Sequence, residues 1–195
     1  MKAKLTLIMT LMATLTYGQP YTNDDFIQNF YVSCKAGAYV AFLALQKGTE
    51  LLETGQYNRS IKSYINALEK DSNCCDAYYM LAFCNQRQAD YQLAIENCDK
   101  SLKLNENNPS AWVVKGTTLL LLKDTINALY CFENVKKYAP NQIDGYYGIS
   151  LIYFYQNKVK ESLLTIEQFE SNSNSTALSR DQKKMKNLKK KLVEK

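Results

Sequence analysis

The sequence predicts an all-α chain: an α-solenoid of about four antiparallel helix hairpins, with an N-terminal helix before them and a C-terminal capping helix after them. Three observations predict it. The chain repeats itself at an offset of 34 residues, so that Tyr78, Leu81, Ala82, Asp90-Tyr91, Ala94 and Leu102 align with Trp112, Lys115, Gly116, Asp124-Thr125, Ala128 and Lys136. Each copy holds two apolar-periodic stretches of roughly 14 residues, an ordinary helix length. Short polar turns such as 53–56, 87–90 and 156–158 divide them. Finally, a small residue recurs at Gly48, Ala82, Gly116 and Ser150, while a second column runs Tyr64, Cys98, Phe132 and Ile166. The small positions let the second helix approach the first, and the bulky ones fill the space beside them. One hairpin cannot bury its apolar face alone, so stacking makes the core.

The elements follow in chain order. Residues 1–18 have the layout of a secretory signal peptide: Lys2 and Lys4, an apolar run from Leu5 to Tyr17, then Gly18 before Gln19-Pro20. The run is shorter than the roughly 20 residues of a spanning helix. Cleavage before Gln19 and export to the periplasm, cell envelope or exterior are therefore expected, with an uncleaved anchor as the competing reading. Residues 19–40 open on Thr22-Asn23-Asp24-Asp25, a good helix start, and continue with Phe26, Ile27, Phe30 and Tyr31 at helical spacing. They are read as a helix capping the first repeat; the sharper alternative is an arm that docks in the groove or swaps between protomers. Four repeats fill 41–74, 75–108, 109–142 and 143–176.

Residues 177–195 form a basic C-terminal capping helix. Leu178, Met185, Leu188 and Leu192 fall near one face, and Lys183, Lys184, Lys186, Lys189, Lys190 and Lys191 cover much of the rest. A solvated cap is the first reading. Peripheral contact with a membrane or an anionic glycan is the second. No aromatic residue interleaves with these lysines, so a stacking platform is missing and no nucleic acid partner is expected.

Composition limits the chemistry. The net charge is +5, but residues 177–195 alone carry eight Lys/Arg against two acids, and 19–176 carry 14 bases against 17 acids. Basicity is a property of the tail. The chain has no His, which removes the usual general base and the commonest metal ligand. The seven glycines are scattered, and no phosphate-cradling loop appears. No Cys-x-x-Cys occurs among the six cysteines, so neither a zinc site nor a redox motif is supported. No metal, no cofactor and no catalytic residue are expected, and the chain is read as a non-enzyme. Cys84, Cys98 and Cys131 fall within helices as small hydrophobes. Cys34, Cys74 and Cys75 are the candidate disulfide group, with inert thiols as the competing reading.

The columns at 44, 78, 112 and 146, at 48, 82, 116 and 150, and at 60, 94, 128 and 162 resemble the tetratricopeptide repeat family, whose Trp-x-x-Leu-Gly-x-x-Tyr, Ala-x-x-x-Phe and Pro pattern spans one helix hairpin. Lys47 and Lys115 replace its Leu, Asn85 replaces its Tyr, and Pro140 alone keeps its terminal Pro. The resemblance implies a concave groove lined by the first helix of each hairpin. On this chain the groove positions are Phe42, Leu45, Thr49 and Leu52, then Tyr79, Phe83, Gln86 and Arg87. The third copy gives Val113, Thr117 and Leu120, and the fourth Tyr147, Leu151, Phe154 and Tyr155. Family members that grip acidic chaperone tails use a clamp of Lys, Asn, Asn, Lys and Arg; the matching positions here hold Leu45, Thr49, Met80, Ser110 and Val114. That mode is not implied. The function read from this is an exported scaffold or adaptor that binds a protein or peptide partner through an aromatic-lined groove. The alternative is a surface-associated adaptor that contacts anionic lipid or glycan through its basic tail.

Overall fold

From residue 53 to residue 172 the helix boundaries recur at the 34-residue offset. The computed structural model describes residues 39–172 and 179–193, and among these it forms nine α-helices and no strand. They are α1 (Tyr39–Glu53), α2 (Tyr57–Lys70), α3 (Cys75–Arg87), α4 (Tyr91–Leu104), α5 (Pro109–Leu121), α6 (Thr125–Tyr138), α7 (Ile143–Tyr155), α8 (Val159–Asn172) and α9 (Ser179–Val193). First helices end at 53, 87, 121 and 155, and second helices begin at 57, 91, 125 and 159. Consecutive helices pair as hairpins, and each second helix also packs on the next first helix. The all-α solenoid that the sequence predicts is the observed architecture. Residues 1–38, which include the expected signal peptide, most of the expected N-terminal cap and Cys34, lie outside the described residues. So does the polar break at 173–178.

The turn inside each hairpin is the same motif four times. Gly55, Ala89, Lys123 and Asn157 hold left-handed backbone, with φ of 72°, 66°, 65° and 59°. The next residue's N–H reaches back to a carbonyl five positions earlier: Gln56 to Leu51, Asp90 to Asn85, Asp124 to Leu119 and Lys158 to Tyr153, each at 2.9 Å. This Schellman closure satisfies the last carbonyls of each first helix and reverses the chain. Helix starts are also fixed locally. The Asn108 side chain accepts from the Ala111 N–H at 3.2 Å with Pro109 in the first turn, and Asp124 accepts from the Asn127 N–H at 3.1 Å.

Within each hairpin the two columns meet, and their sizes are complementary. A β-carbon added at Gly48 would lie 2.4 Å from a Tyr64 ring carbon, and one at Gly116 would lie 3.1 Å from Phe132. Where the second-helix residue is smaller, the first-helix residue grows: Ala82 packs in one cluster with Cys98, and Ser150 and Ile166 hold the same two columns in the fourth hairpin, all four at 0% exposure. Ser162 Oγ also donates to the Ser150 carbonyl at 2.9 Å, tying α7 to α8. Burying a ring such as Tyr64 or Phe132 contributes roughly 1.5–3 kcal/mol.

Hairpins join by the same logic. Gly148 of α7 lets Phe132 of α6 approach, since a β-carbon there would lie 2.6 Å from the ring. Trp112 Nε1 donates to the Glu106 carbonyl at 2.8 Å across the junction of the second and third hairpins, while Ser101 Oγ donates to the Cys75 carbonyl at 2.9 Å within the second. At the C-terminal end, Met185, Leu188 and Leu192 of α9 are buried, and Lys189 meets Glu170 of α8 at 2.8 Å. The apolar stripe read from the sequence docks α9 on the last hairpin.

Candidate functional site: the face of the first helices

The residues assigned to the groove all lie on α1, α3, α5 and α7. Of these helices, α3 packs directly on α5, and α5 on α7. Equivalent positions therefore stack in rows across α3, α5 and α7.

The structure divides the expected residues into two groups. Leu45, Tyr79, Leu120, Tyr147 and Leu151 are buried in the core, Tyr79 and Tyr147 at 5% exposure and Leu151 at 1%. Phe42, Phe83, Arg87, Val113, Phe154 and Tyr155 are half-buried. The first group builds the floor, and the second carries the accessible area. Phe154 and Tyr155 meet edge-to-face with ring centroids 5.3 Å apart. The Arg87 guanidinium lies 5.6 Å above the Phe83 ring, and its Nε donates to the Tyr57 hydroxyl at 3.4 Å. The clamp-equivalent positions Leu45, Thr49, Met80 and Val114 are buried.

Two polar features of this face come from how its side chains pack. Gln86 is buried, and its Nε2 donates to Thr118 Oγ1 at 2.7 Å, Thr117 Oγ1 at 2.8 Å and the Val114 carbonyl at 3.2 Å, which ties α3 to α5. Its Oε1 is buried without a hydrogen-bond partner, and so is the Tyr155 hydroxyl. Burial, and next the neighbouring Tyr147, pushes the Tyr155 phenol up from its ordinary range. A signal for Gln86 did exist: its column is otherwise Leu52, Leu120 and Phe154, and Thr117-Thr118 interrupts an apolar helix. The unpartnered oxygens depend on side-chain geometry and have no sequence signal.

The remaining candidates sit elsewhere. Cys74 and Cys75 are buried, and no disulfide forms among the described residues; Cys34 lies outside them. Cys84, Cys98 and Cys131 are buried, and burial pushes the thiols of Cys84 and Cys131 up to about 12. That suits packing and not nucleophilic chemistry. On α9, Lys183, Lys186, Lys190 and Lys191 are exposed, while Lys189 is half-buried against Glu170. The side chain of Lys184 lies outside the described residues. No group of three metal-ligating side chains occurs among the described residues, and none of their helices is long and apolar enough to cross a membrane.

Comparison with known proteins agrees with this geometry. A tetratricopeptide repeat family model matches residues 76–108, which is α3 and α4 with their turn. Residues 76–108 are a tetratricopeptide repeat, and the described helices share the fold of tetratricopeptide domains. Tetratricopeptide repeat protein 12 of Mus musculus is 30% identical over 95 residues, covering 49% of this chain and 14% of that protein. Across the first curated relatives the chain spans only 14 to 16% of their length. Among solved structures, a MamA fragment from Desulfovibrio magneticus RS-1 superposes with a TM-score of 0.62 at 21% identity, over 80% of this chain and 91% of that one. The first tetratricopeptide domain of Spaghetti (RPAP3), solved with the HSP90 peptide SRMEEVD, gives a TM-score of 0.59 at 19% identity over 60% of this tetratricopeptide chain and 96% of that domain. At these identities the likeness is one of fold.

Proposed function

We propose that this tetratricopeptide chain is a non-catalytic, exported adaptor that holds a protein or peptide partner on the face of its first helices. The observation that carries the reading is the set of half-buried aromatics on that face, Phe42, Phe83, Phe154 and Tyr155, set on a buried floor of Leu45, Tyr79, Tyr147 and Leu151. Aromatic rings of this kind give large contact area with few rotamers to freeze. The partner differs from an acidic chaperone tail, because apolar side chains replace the cationic clamp at Leu45, Met80 and Val114. Export rests on the pattern of residues 1–18.

The test is Phe83→Ala with Phe154→Ala in one chain. A folded double variant should lose partner binding by at least about tenfold, since central aromatic anchors are each worth about 2 kcal/mol or more. Unchanged binding would remove the reading.

The second reading has its own observation. α9 docks through Met185, Leu188 and Leu192 and leaves Lys183, Lys186, Lys190 and Lys191 exposed, a face that suits anionic lipid or glycan. A contact of that kind weakens steeply between low and physiological salt, whereas the aromatic face responds little.

A further inference from the structure

We propose that docked α9 is a binding site for a linear acidic polysaccharide, one that carries an anionic group on each sugar, and that it holds this polymer without leaving the last hairpin. This rests on the second reading above and narrows its two surfaces to one.

The charge on α9 exceeds what a solvated cap requires. α9 holds seven Lys/Arg against one acid. The second helices mix signs on their exposed sides, as Glu96 does with Lys100 on α4 and Glu133 with Lys137 on α6. Like charges three or four residues apart weaken a helix. The run of Lys183, Lys186 and Lys190 therefore destabilises α9, where mixed signs would solvate it equally well. A single-sign cluster of this kind attracts a polyanion.

Docking decides between lipid and glycan. A helix that lies in a bilayer interface buries its apolar face there. On α9 that face is already occupied: Met185 is 1% exposed, Leu188 2% and Leu192 2%, all part of the core that α9 joins against α7 and α8. Of the described apolar side chains of α9 only Val193 is exposed. Charge is what remains for a ligand, and it stands in a row. Lys183, Lys186 and Lys190 follow one line of the helix at i, i+3 and i+7, with Lys191 to one side. Their stems are about 4.5 and 6 Å apart along the axis, the scale of a single sugar unit. A flat membrane meets only the outermost lysines of such a ridge, whereas a flexible chain with one charge per sugar can follow the line. Because the apolar stripe holds α9 in place, the row is ordered before the polymer arrives.

The experiment uses the full chain and polygalacturonate, which carries one carboxylate per sugar. Neutral dextran and vesicles of equal parts phosphatidylglycerol and phosphatidylcholine are titrated beside it. Wild type is compared with Lys183→Gln/Lys186→Gln and with Lys62→Gln/Lys103→Gln, a control that removes the same charge from exposed sites on α2 and α4. Circular dichroism checks that both variants keep the helicity of wild type. Wild type should bind polygalacturonate and not dextran. The α9 variant should bind at least about tenfold more weakly, since each lysine against an anionic surface contributes about fivefold, and the control should match wild type. Affinity should also fall with salt, less steeply for the α9 variant. With p-benzoylphenylalanine at position 188, a cross-link into α7 or α8 should persist when the polymer is bound. Undiminished binding by the α9 variant, equal loss in both variants, tighter binding to the vesicles, or loss of that cross-link would overturn the proposal. The two readings fail separately. Vesicle binding that the α9 variant loses leaves the second reading standing with lipid as its surface, and binding to neither polygalacturonate nor vesicles removes both.

Discussion

Gly48 of α1 sits directly against the ring of Tyr64 in α2, so close that a β-carbon at 48 would lie 2.4 Å from Cε1. Tyr64 is itself fully buried, so its ring has little room to retreat. Gly48→Ala gains helix propensity of about 1 kcal/mol but overpacks the crossing by roughly 1–3 kcal/mol. The expected net result is destabilisation of up to about 2 kcal/mol in urea unfolding. Combining it with Tyr64→Cys, which copies the natural Ala82 and Cys98 pair, should show a favourable coupling of at least about 0.5 kcal/mol in a double-mutant cycle.

The fourfold turn gives a prediction of opposite sign. Ala89 and Lys123 hold left-handed backbone at φ 66° and 65°, where a β-carbon is penalised by roughly 1–2 kcal/mol. Glycine removes that penalty at some cost in chain entropy. Ala89→Gly and Lys123→Gly should each stabilise by about 0.5–1 kcal/mol, and Gly55→Ala should destabilise by a similar amount. Urea midpoints at constant slope check all three.

Most of the fold was legible in the sequence, because each repeat states the same facts in the same order. The column 48, 82, 116, 150 and its partner 64, 98, 132, 166 were visible as small and bulky residues, and they meet at Gly48 with Tyr64, at Gly116 with Phe132 and in the cluster of Ala82 with Cys98. What could not be read was which row of a first helix remains accessible. Tyr79 and Phe83 sit one turn apart on the same helix with the same chemistry, yet one is buried and the other half-buried. That difference depends on the packing of neighbouring first helices, which a periodic pattern does not encode. The Gln86 bridge to Thr117 and Thr118 spans 31 and 32 residues, so a single-repeat pattern is blind to it as well.

That bridge can be tested by charge. Gln86→Leu restores the residue type of Leu52 and Leu120 and removes the unpartnered oxygen. Thr117 and Thr118 still donate to the carbonyls of Val113 and Val114, so stability should change by less than about 1 kcal/mol. Gln86→Glu places a carboxylate in the same buried position and should cost about 2–3 kcal/mol at neutral pH. Its buried carboxyl has a raised pKa, so that loss should shrink as pH falls and the group protonates.

The buried thiols predict alkaline instability. Burial pushes Cys84 and Cys131 from 9.0 up to about 12, so above pH 9 the unfolded chain has lost these protons while the folded chain keeps them. Stability is therefore fully present below pH 9 and falls as pH rises toward 12, by at most about 1.4 kcal/mol per pH unit for each thiol. Urea unfolding at pH 8 and pH 10 should show the loss, and Cys84→Ala with Cys131→Ala should flatten it. A thiol reagent should label neither site before unfolding.

The first-helix face is proposed to hold a protein or peptide partner. The most direct measurement of this is a paired capture from the envelope and secreted fractions of the source organism, using wild type and Phe83→Ala/Phe154→Ala as baits, followed by titration of the captured protein against each. The account predicts one protein that wild type retains and the folded double variant loses, with affinity falling by at least about tenfold and little dependence on salt. Equal retention by both baits, reversed by salt, would contradict it and assign the contact to the lysines of α9.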